Sequence, residues 1–347
     1  MTDPTNDRKL EHINIIQKDS QTDRKKFYFD SIHLKHRALP ELNLAEIDPA
    51  VTFLGKKLAF PLLISSMTGG DHELVKQINS NLAFAAEETS VAMGVGSQRV
   101  MFTNPEAIKS FQIRACAPTT LLFANLGAVQ LNYGFGLEHC RKAIDTVGAD
   151  ALYFHCNPLQ EAVQPEGDTN FKGLARLIGA IAQKLEKPVF LKEVGAGFSP
   201  EDVELVLQYG IHYIDVAGSG GTSWSRIEHY RQDEKQNDSG ILFQDWGNPT
   251  PWILQQLKPF RDRLTLVASG GVRSGIDMVK AIILGASLCG MASPFLKPAM
   301  ESPDAVIQVI EKLKKEFTIA MFLLGVAKVS ELFGNESLIS NPDFQVF

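Results

Sequence analysis

The sequence predicts an α/β fold: a TIM (β/α)8 barrel with an N-terminal extension and a long loop after the sixth strand. Three observations carry this prediction. Eight short apolar or β-branched runs, each bounded by turn residues, follow one another along the 347 residues. Helix-period segments separate them. The runs are too apolar to leave one face wet, which calls for a parallel sheet covered by helices. Eight such units in series favour closure into a barrel over a doubly wound open sheet. An open sheet usually has fewer strands and a glycine fingerprint after the first, whereas MTGG follows the first strand here.

In chain order, residues 1–59 precede the first strand and read as an N-terminal extension, to which the resemblance given below assigns a part in substrate binding. Residues 60–347 read as the barrel. The opening stretch MTDPTNDRKLEHINIIQKDSQTDRKK is charged and has no apolar h-region, so no secretory leader is expected and the cytoplasm is the expected location. The strands are FPLLISS (60–66), VAMGVGS (91–97), TLLFANL (120–126), ALYFH (151–155), PVFLKEV (188–194), HYIDVAG (212–218), LTLVASG (264–270) and SLCGMAS (287–293). ELVKQINSNLAFAAEE, SPEDVELVLQYG and GIDMVKAIILGA are the clearest helices, and SPEDVE opens with a serine cap and acidic first-turn residues. Residues from about 223 to 250 lengthen the connection after the sixth strand, as lids, oligomer contacts and mobile loops do. The apolar run FTIAMFLLGVA is about half a membrane span, so no membrane partner is expected.

Composition narrows the function. Hydrophobic residues make up 44% and charged residues 21%, ordinary for a globular chain. A net charge of −6 argues against a broad nucleic-acid footprint, so any anionic ligand needs a local basic cluster. Cys116, Cys140, Cys156 and Cys289 have no paired spacing, which argues against a disulfide framework or a zinc site.

In a barrel the C-terminal strand tips converge on one mouth. Here they carry glycines, hydroxyls, amides and a few charges. SGGVRSG (269–275) and ASPF (292–295) follow the seventh and eighth strands, where barrels commonly cradle phosphate. AGSGGTSW (217–224) has the same small-residue character. One Gly-Gly turn reads as a tight turn; two at neighbouring tips favour a phosphate site. Lys192 ends the apolar run PVFL, which calls for an anionic partner; beside a flavin it would offset charge on the reduced ring. Arg99 in GSQR can be a surface arginine or can fork onto a phosphate or carboxylate. Asn125 suits a helix cap as well as a ligand contact. His155 alone reads as a core histidine, and gains weight as a ligand contact beside Asn157, Gln160 and Glu161. Glu161 has no second acid close by beyond Glu166 and Asp168, which read as caps for the following helix. A single carboxylate suits Mg²⁺ when a phosphorylated substrate supplies further oxygens. Gln160 can hydrogen-bond but cannot act as a strong base.

These tips resemble those of the type 2, FMN-dependent isopentenyl-diphosphate isomerases. The matching blocks run from RKLEH (8–12) through FLGKKLAFPLLISSMTGG, GSQR, ANLGAVQL, HCNPLQEAVQPEGD, KEVGAGFS, DVAGSGGTSW, DWGNPT and ASGGVRSG to ASPFL (292–296). HxNPLQExxQPEGD is highly specific, whereas SGGxR occurs in many phosphate-binding barrels. Cys156 stands where leucine is expected, a difference of packing rather than chemistry. The resemblance implies that Ser66, Met67, Thr68, Gly69, Ser97, Asn125 and Lys192 lie along FMN. It places Ser219, Thr222, Gly271, Val272, Arg273, Ala292 and Ser293 around the FMN phosphate. Arg8, Lys9, His12, Ser97, Gln98, Arg99, His155 and Gln160 would face isopentenyl diphosphate, with Gln160 beside the reacting carbons and Glu161 on Mg²⁺. It further implies NADPH as the flavin reductant and a homo-oligomer, tetramer or octamer. The rival flavin barrel, an α-hydroxy-acid oxidase, needs a histidine base beside a glycine-rich turn, and GSGGTSW has none.

Overall fold

The structure is a computed structural model that describes residues 4–232 and 238–346. The tip of the long connection, residues 233–237, lies outside the described residues, as do the first three residues. Two short strands, β1 (Val51–Phe53) and β2 (Lys56–Leu58), form an antiparallel hairpin. The eight predicted runs are all strands: β3 (Leu62–Ile64), β4 (Ala92–Gly94), β5 (Leu122–Gly127), β6 (Ala151–His155), β7 (Val189–Lys192), β8 (Tyr213–Asp215), β9 (Thr265–Ser269) and β10 (Leu288–Met291). They pair in parallel as a closed barrel in chain order, with β10 against β3.

Alternation along the strands explains both cores. Outward residues such as Leu62, Ile64, Leu152, Phe154, Leu191 and Ile214 pack under the helices. Inward residues Leu63, Phe123, Tyr153, Phe190, Val267 and Leu288 fill the barrel with a second apolar cluster. The predicted helices are present at Glu73–Glu88, Pro200–Leu207 and Gly275–Ile283. Pro200–Leu207 has the expected serine cap: Ser199 accepts from the Asp202 N–H while Asp202 reaches back to the Ser199 N–H. The β4–β5 connection is two 3₁₀ segments, Gln98–Phe102 and Pro105–Ser110, rather than an α-helix.

The N-terminal extension does two jobs. Its helix Pro4–Lys18 crosses the mouth, with contacts to the helix Trp224–Arg231 in the β8 connection. Its hairpin closes the opposite end: Phe53 and Leu58 join the barrel's interior cluster. Ile13, Phe29, Ile32 and Ile47 meanwhile bury themselves in the outer core, so the extension shares the barrel's core.

Candidate active site

The mouth opens into a cavity of about 220 Å³, against about 10 Å³ for the next opening. A single water needs roughly 10–15 Å³, so only the first can take an organic ligand. Every residue expected at the site lines it except Gly69, Gln98 and Ser219.

Pro158 opens a short helix, Pro158–Val163, which carries Gln160 and Glu161 into the cavity wall. The Asn157 amide donates to Gln160 Oε1 (3.0 Å) and Glu161 Oε1 (2.9 Å), and Gln160 Nε2 donates to Glu228 Oε1 (2.7 Å). Gln160 is therefore held at both ends of its amide. Glu161 also accepts from Gln164 Nε2 and from the Asp168 N–H (2.7 Å). Burial raises its pKa in spite of those donors. Asn157 Oδ1 and Gln164 Oε1 are buried without a partner. With Glu161 they form an oxygen set that fits a hard cation. Among the described residues there is no cluster of three or more acidic, His or Cys ligands.

Glu228, from the β8 connection, is fully buried and was not visible in the sequence as a site residue. It accepts from His12 Nε2 (3.0 Å), Gln160 and Arg231 Nη1 (2.6 Å). Burial alone would raise its pKa, but the His12 bond and the Arg231 charge outweigh it and hold it down, near 2. Arg231 in turn binds Glu11 (2.9 Å) and Glu166 (2.9 Å), tying the N-terminal helix to the QPEGD loop. Burial keeps His12 neutral down to about pH 4. Burial, then the charge of Arg8, lowers Lys9 to about 7.

Arg99 bonds Asp168 (2.6 Å), so Asp168 is a partner of the basic group and not a mere helix cap. Gln130 Nε2 donates to the same carboxylate oxygen (2.9 Å). Gln98 does not face the cavity. It is buried behind it, accepting from the Asn125 N–H (3.0 Å) and donating to Ala143 O (3.0 Å). Asn125 Nδ2 donates to Val95 O (3.1 Å), which turns its oxygen to His155 Nδ1 (2.8 Å). His155 thus donates from Nδ1 and keeps the Nε2 lone pair. Burial and then the charges of Lys9, Lys192 and Arg8 lower its pKa to about 3, so it is neutral.

At the floor, Lys192 Nζ lies 3.0 Å from Asp215 Oδ2 and 3.3 Å from Ser269 Oγ. The anionic partner that its apolar run called for is thus on the neighbouring strand. Cys156 packs beside the core, with its thiol pushed up to about 12 by burial.

Across the ring, the two Gly-Gly turns meet. Gly270 has φ +89°, and a Cβ there would sit 2.0 Å from Gly218 O; Gly271 has φ +75° and faces Gly220. Only glycine permits this approach. Arg273 bonds Asp23 (2.7 Å) and Gly220 O (2.7 Å), and the helix Ser293–Glu301 begins at the cavity edge. Ser66 Oγ and Thr68 Oγ1 are buried at the cavity with no partner in the structure, the condition in which a flavin ring with polar edges would leave its binding residues. The residues present fit FMN. Gly69 instead packs against the Phe111 ring, and Ser219 is tied through its N–H to Asn248 O (2.8 Å) and through its hydroxyl to Gly247 O (3.4 Å).

Comparison with known proteins places this geometry. Residues 167–341 match the family model for FMN-dependent dehydrogenases. An isopentenyl-diphosphate delta-isomerase of Hydrogenovibrio crunogenus is 52% identical, over 97% of this chain and 98% of the relative. The corresponding protein of Paracoccus zeaxanthinifaciens is 54% identical over 96% of each. Among solved structures, a flavocytochrome b2 with benzoylformate superposes with a TM-score of 0.65 at 20% identity, covering 92% of this chain and 78% of its own. A mandelate oxidase carrying an FMN adduct gives 0.61 at 19%, with 89% and 88% covered. At that identity the two structures share the fold.

Proposed function

The chain belongs to the isopentenyl-diphosphate delta-isomerase family, and on that premise we propose that it interconverts isopentenyl and dimethylallyl diphosphate with FMN and Mg²⁺. One observation carries the reading: a single cavity joins two anion-binding ends on opposite sides of the strand ring. Arg273 and the paired glycine turns after β8 and β9 form one. Arg8, Lys9, Arg99 and His155 form the other. One end suits the phosphate of FMN, the other a diphosphate, and Gln160 and Glu161 follow the same strand as His155.

Moving the double bond adds a proton to one carbon and removes one from another, with no net redox change. FMN held there and reduced by NADPH would supply the proton-exchanging group. The chain's residues do the rest. Glu161, with Asn157 and Gln164 beside it, would hold Mg²⁺, which would help to bind the diphosphate. Gln160, fixed by Asn157 and Glu228, sets the position of the hydrocarbon. The neutral rings of His12 and His155 can take a proton as the diphosphate docks. The N-terminal helix covers the mouth and excludes water. The working form is a cytoplasmic homo-oligomer, tetramer or octamer; exposed Leu242 and Trp246 in the β8 connection offer apolar area for contact. No helix among the described residues is long and apolar enough to cross a membrane.

The test is turnover of isopentenyl diphosphate with FMN, Mg²⁺ and NADPH, each omitted in turn. Product should form only with all three and without stoichiometric loss of NADPH. Consumption of NADPH mole for mole with substrate would refute the reading in favour of an oxidoreductase.

A further inference from the structure

The last inward residues of β7, β8 and β9 are Lys192, Asp215 and Ser269, two positions beyond Phe190, Tyr213 and Val267, which pack in the interior apolar cluster. The three form a closed triangle. Lys192 Nζ donates to Asp215 Oδ2 (3.0 Å), the Ser269 hydroxyl donates to Asp215 Oδ1, and Lys192 lies 3.3 Å from that hydroxyl. Lys192 lines the cavity, whereas Asp215 is completely buried beneath it.

We propose that Asp215 is a positioning residue that sets how much of the Lys192 charge reaches the cavity, and so sets the reduction potential of FMN held there. The inference rests on the flavin reading above. A lone buried ammonium would give its whole charge to a ligand above it. Paired with a carboxylate at 3.0 Å it presents a dipole instead. A reduced flavin carries more negative charge than an oxidised one, so a bare cation favours the reduced form and a neutralised one favours it less. Holding β7 to β8 does not require the side chains, because the backbone ladder already sets Lys192 opposite Asp215. Nor is a buried ion pair a strong source of stability, since apolar replacement is often neutral or better. The triangle has its clearest use as a charge regulator.

The test is an anaerobic redox titration of the purified holoenzyme against a reference dye. Asp215→Asn should shift the balance toward reduced FMN by about tenfold, ~30 mV for a two-electron couple. Lys192→Met should shift it by a similar factor in the opposite direction. The double variant should fall between the singles. An unmoved or lowered potential in Asp215→Asn overturns the inference while the flavin reading stands. Absence of flavin absorbance in the wild-type protein under FMN saturation overturns both. If Asp215→Asn does not fold, Asp215→Ser takes its place in the same titration, and an unmoved or lowered potential there overturns the proposal.

Discussion

Gln160→Asn keeps the amide but withdraws it by one methylene, about 1.5 Å by covalent geometry. Gln160 Nε2 is 2.7 Å from Glu228 Oε1, and Gln160 Oε1 is 3.0 Å from Asn157 Nδ2. Both separations would grow to roughly 4 Å or more, beyond the limit of a hydrogen bond. The shortened amide loses both anchors and no longer has a fixed place beside the substrate. A misplacement of about 1 Å can cost roughly a hundredfold, so kcat should fall by that order with KM little changed. Glu161→Gln is the contrasting variant. It keeps size but removes the metal-binding charge, so KM should rise and added Mg²⁺ should partly restore activity. Steady-state kinetics across a Mg²⁺ titration distinguishes the two. Rescue of both variants by Mg²⁺, or of neither, would refute the division of roles.

Three further outcomes are expected. Deleting residues 1–12 removes Arg8, Lys9 and the His12–Glu228 contact, so KM should rise at least tenfold (~1.4 kcal/mol) while FMN content stays constant; loss of flavin on purification would contradict it. His12 has a pKa of about 4 when folded against 6.5 when exposed. Between those values the unfolded chain binds more protons, so its contribution is intact above pH 6.5 and about 3 kcal/mol is lost as pH falls to 4. Urea midpoints should follow this slope, and His12→Gln should flatten it; an unchanged slope in the variant would tell against the assignment. Arg24 donates to the carbonyls of Gly195, Gly221, Thr222, Gln244 and Trp246, fastening the extension to the β7 and β8 tips. Arg24→Ala leaves these acceptors unsatisfied and should cost on the order of 3 kcal/mol, read as a lower urea midpoint.

The barrel was legible because its strands are short, apolar and evenly punctuated, and closure follows from their number. The site was legible wherever a residue type is rare at a strand tip, as with Gln160, Glu161 and Arg273. Asp215 was legible in principle: counting by twos from Phe190 and Tyr213 puts it level with Lys192, yet YID reads simply as the end of a strand. Glu228 could not be found that way. It lies in a long connection with no periodic signal, and the three groups that it binds come from positions 12, 160 and 231. Gln98 shows the opposite difficulty. Its neighbours Ser97 and Arg99 line the cavity, but its own side chain turns behind the wall to fix Asn125, an orientation set by the 3₁₀ turn that begins there. The hairpin at residues 51–58 carried no sign of its role, because plugging a barrel depends on where the chain returns and not on its local pattern.

The fastening of the first residues to the last strands has a consequence for synthesis on the ribosome. Asp23 finds Arg273 only after another 250 residues have been added, and His33 meets Asn341 after 308. At roughly 5–20 residues per second the first wait lasts about 12–50 s. Until residues 224–256 follow, Ile13, Phe29 and Ile32, all buried in the finished molecule, lack the helices that the extension packs against. The chain therefore emerges with its closing piece first, and a nascent chain that stops short of the β8 connection holds an open sheet with a sticky, unplaced leader. Expression of this fold should depend on holding chaperones more than its unremarkable composition implies, and a circular permutant that begins at β3 and carries residues 4–59 at its end would remove the wait.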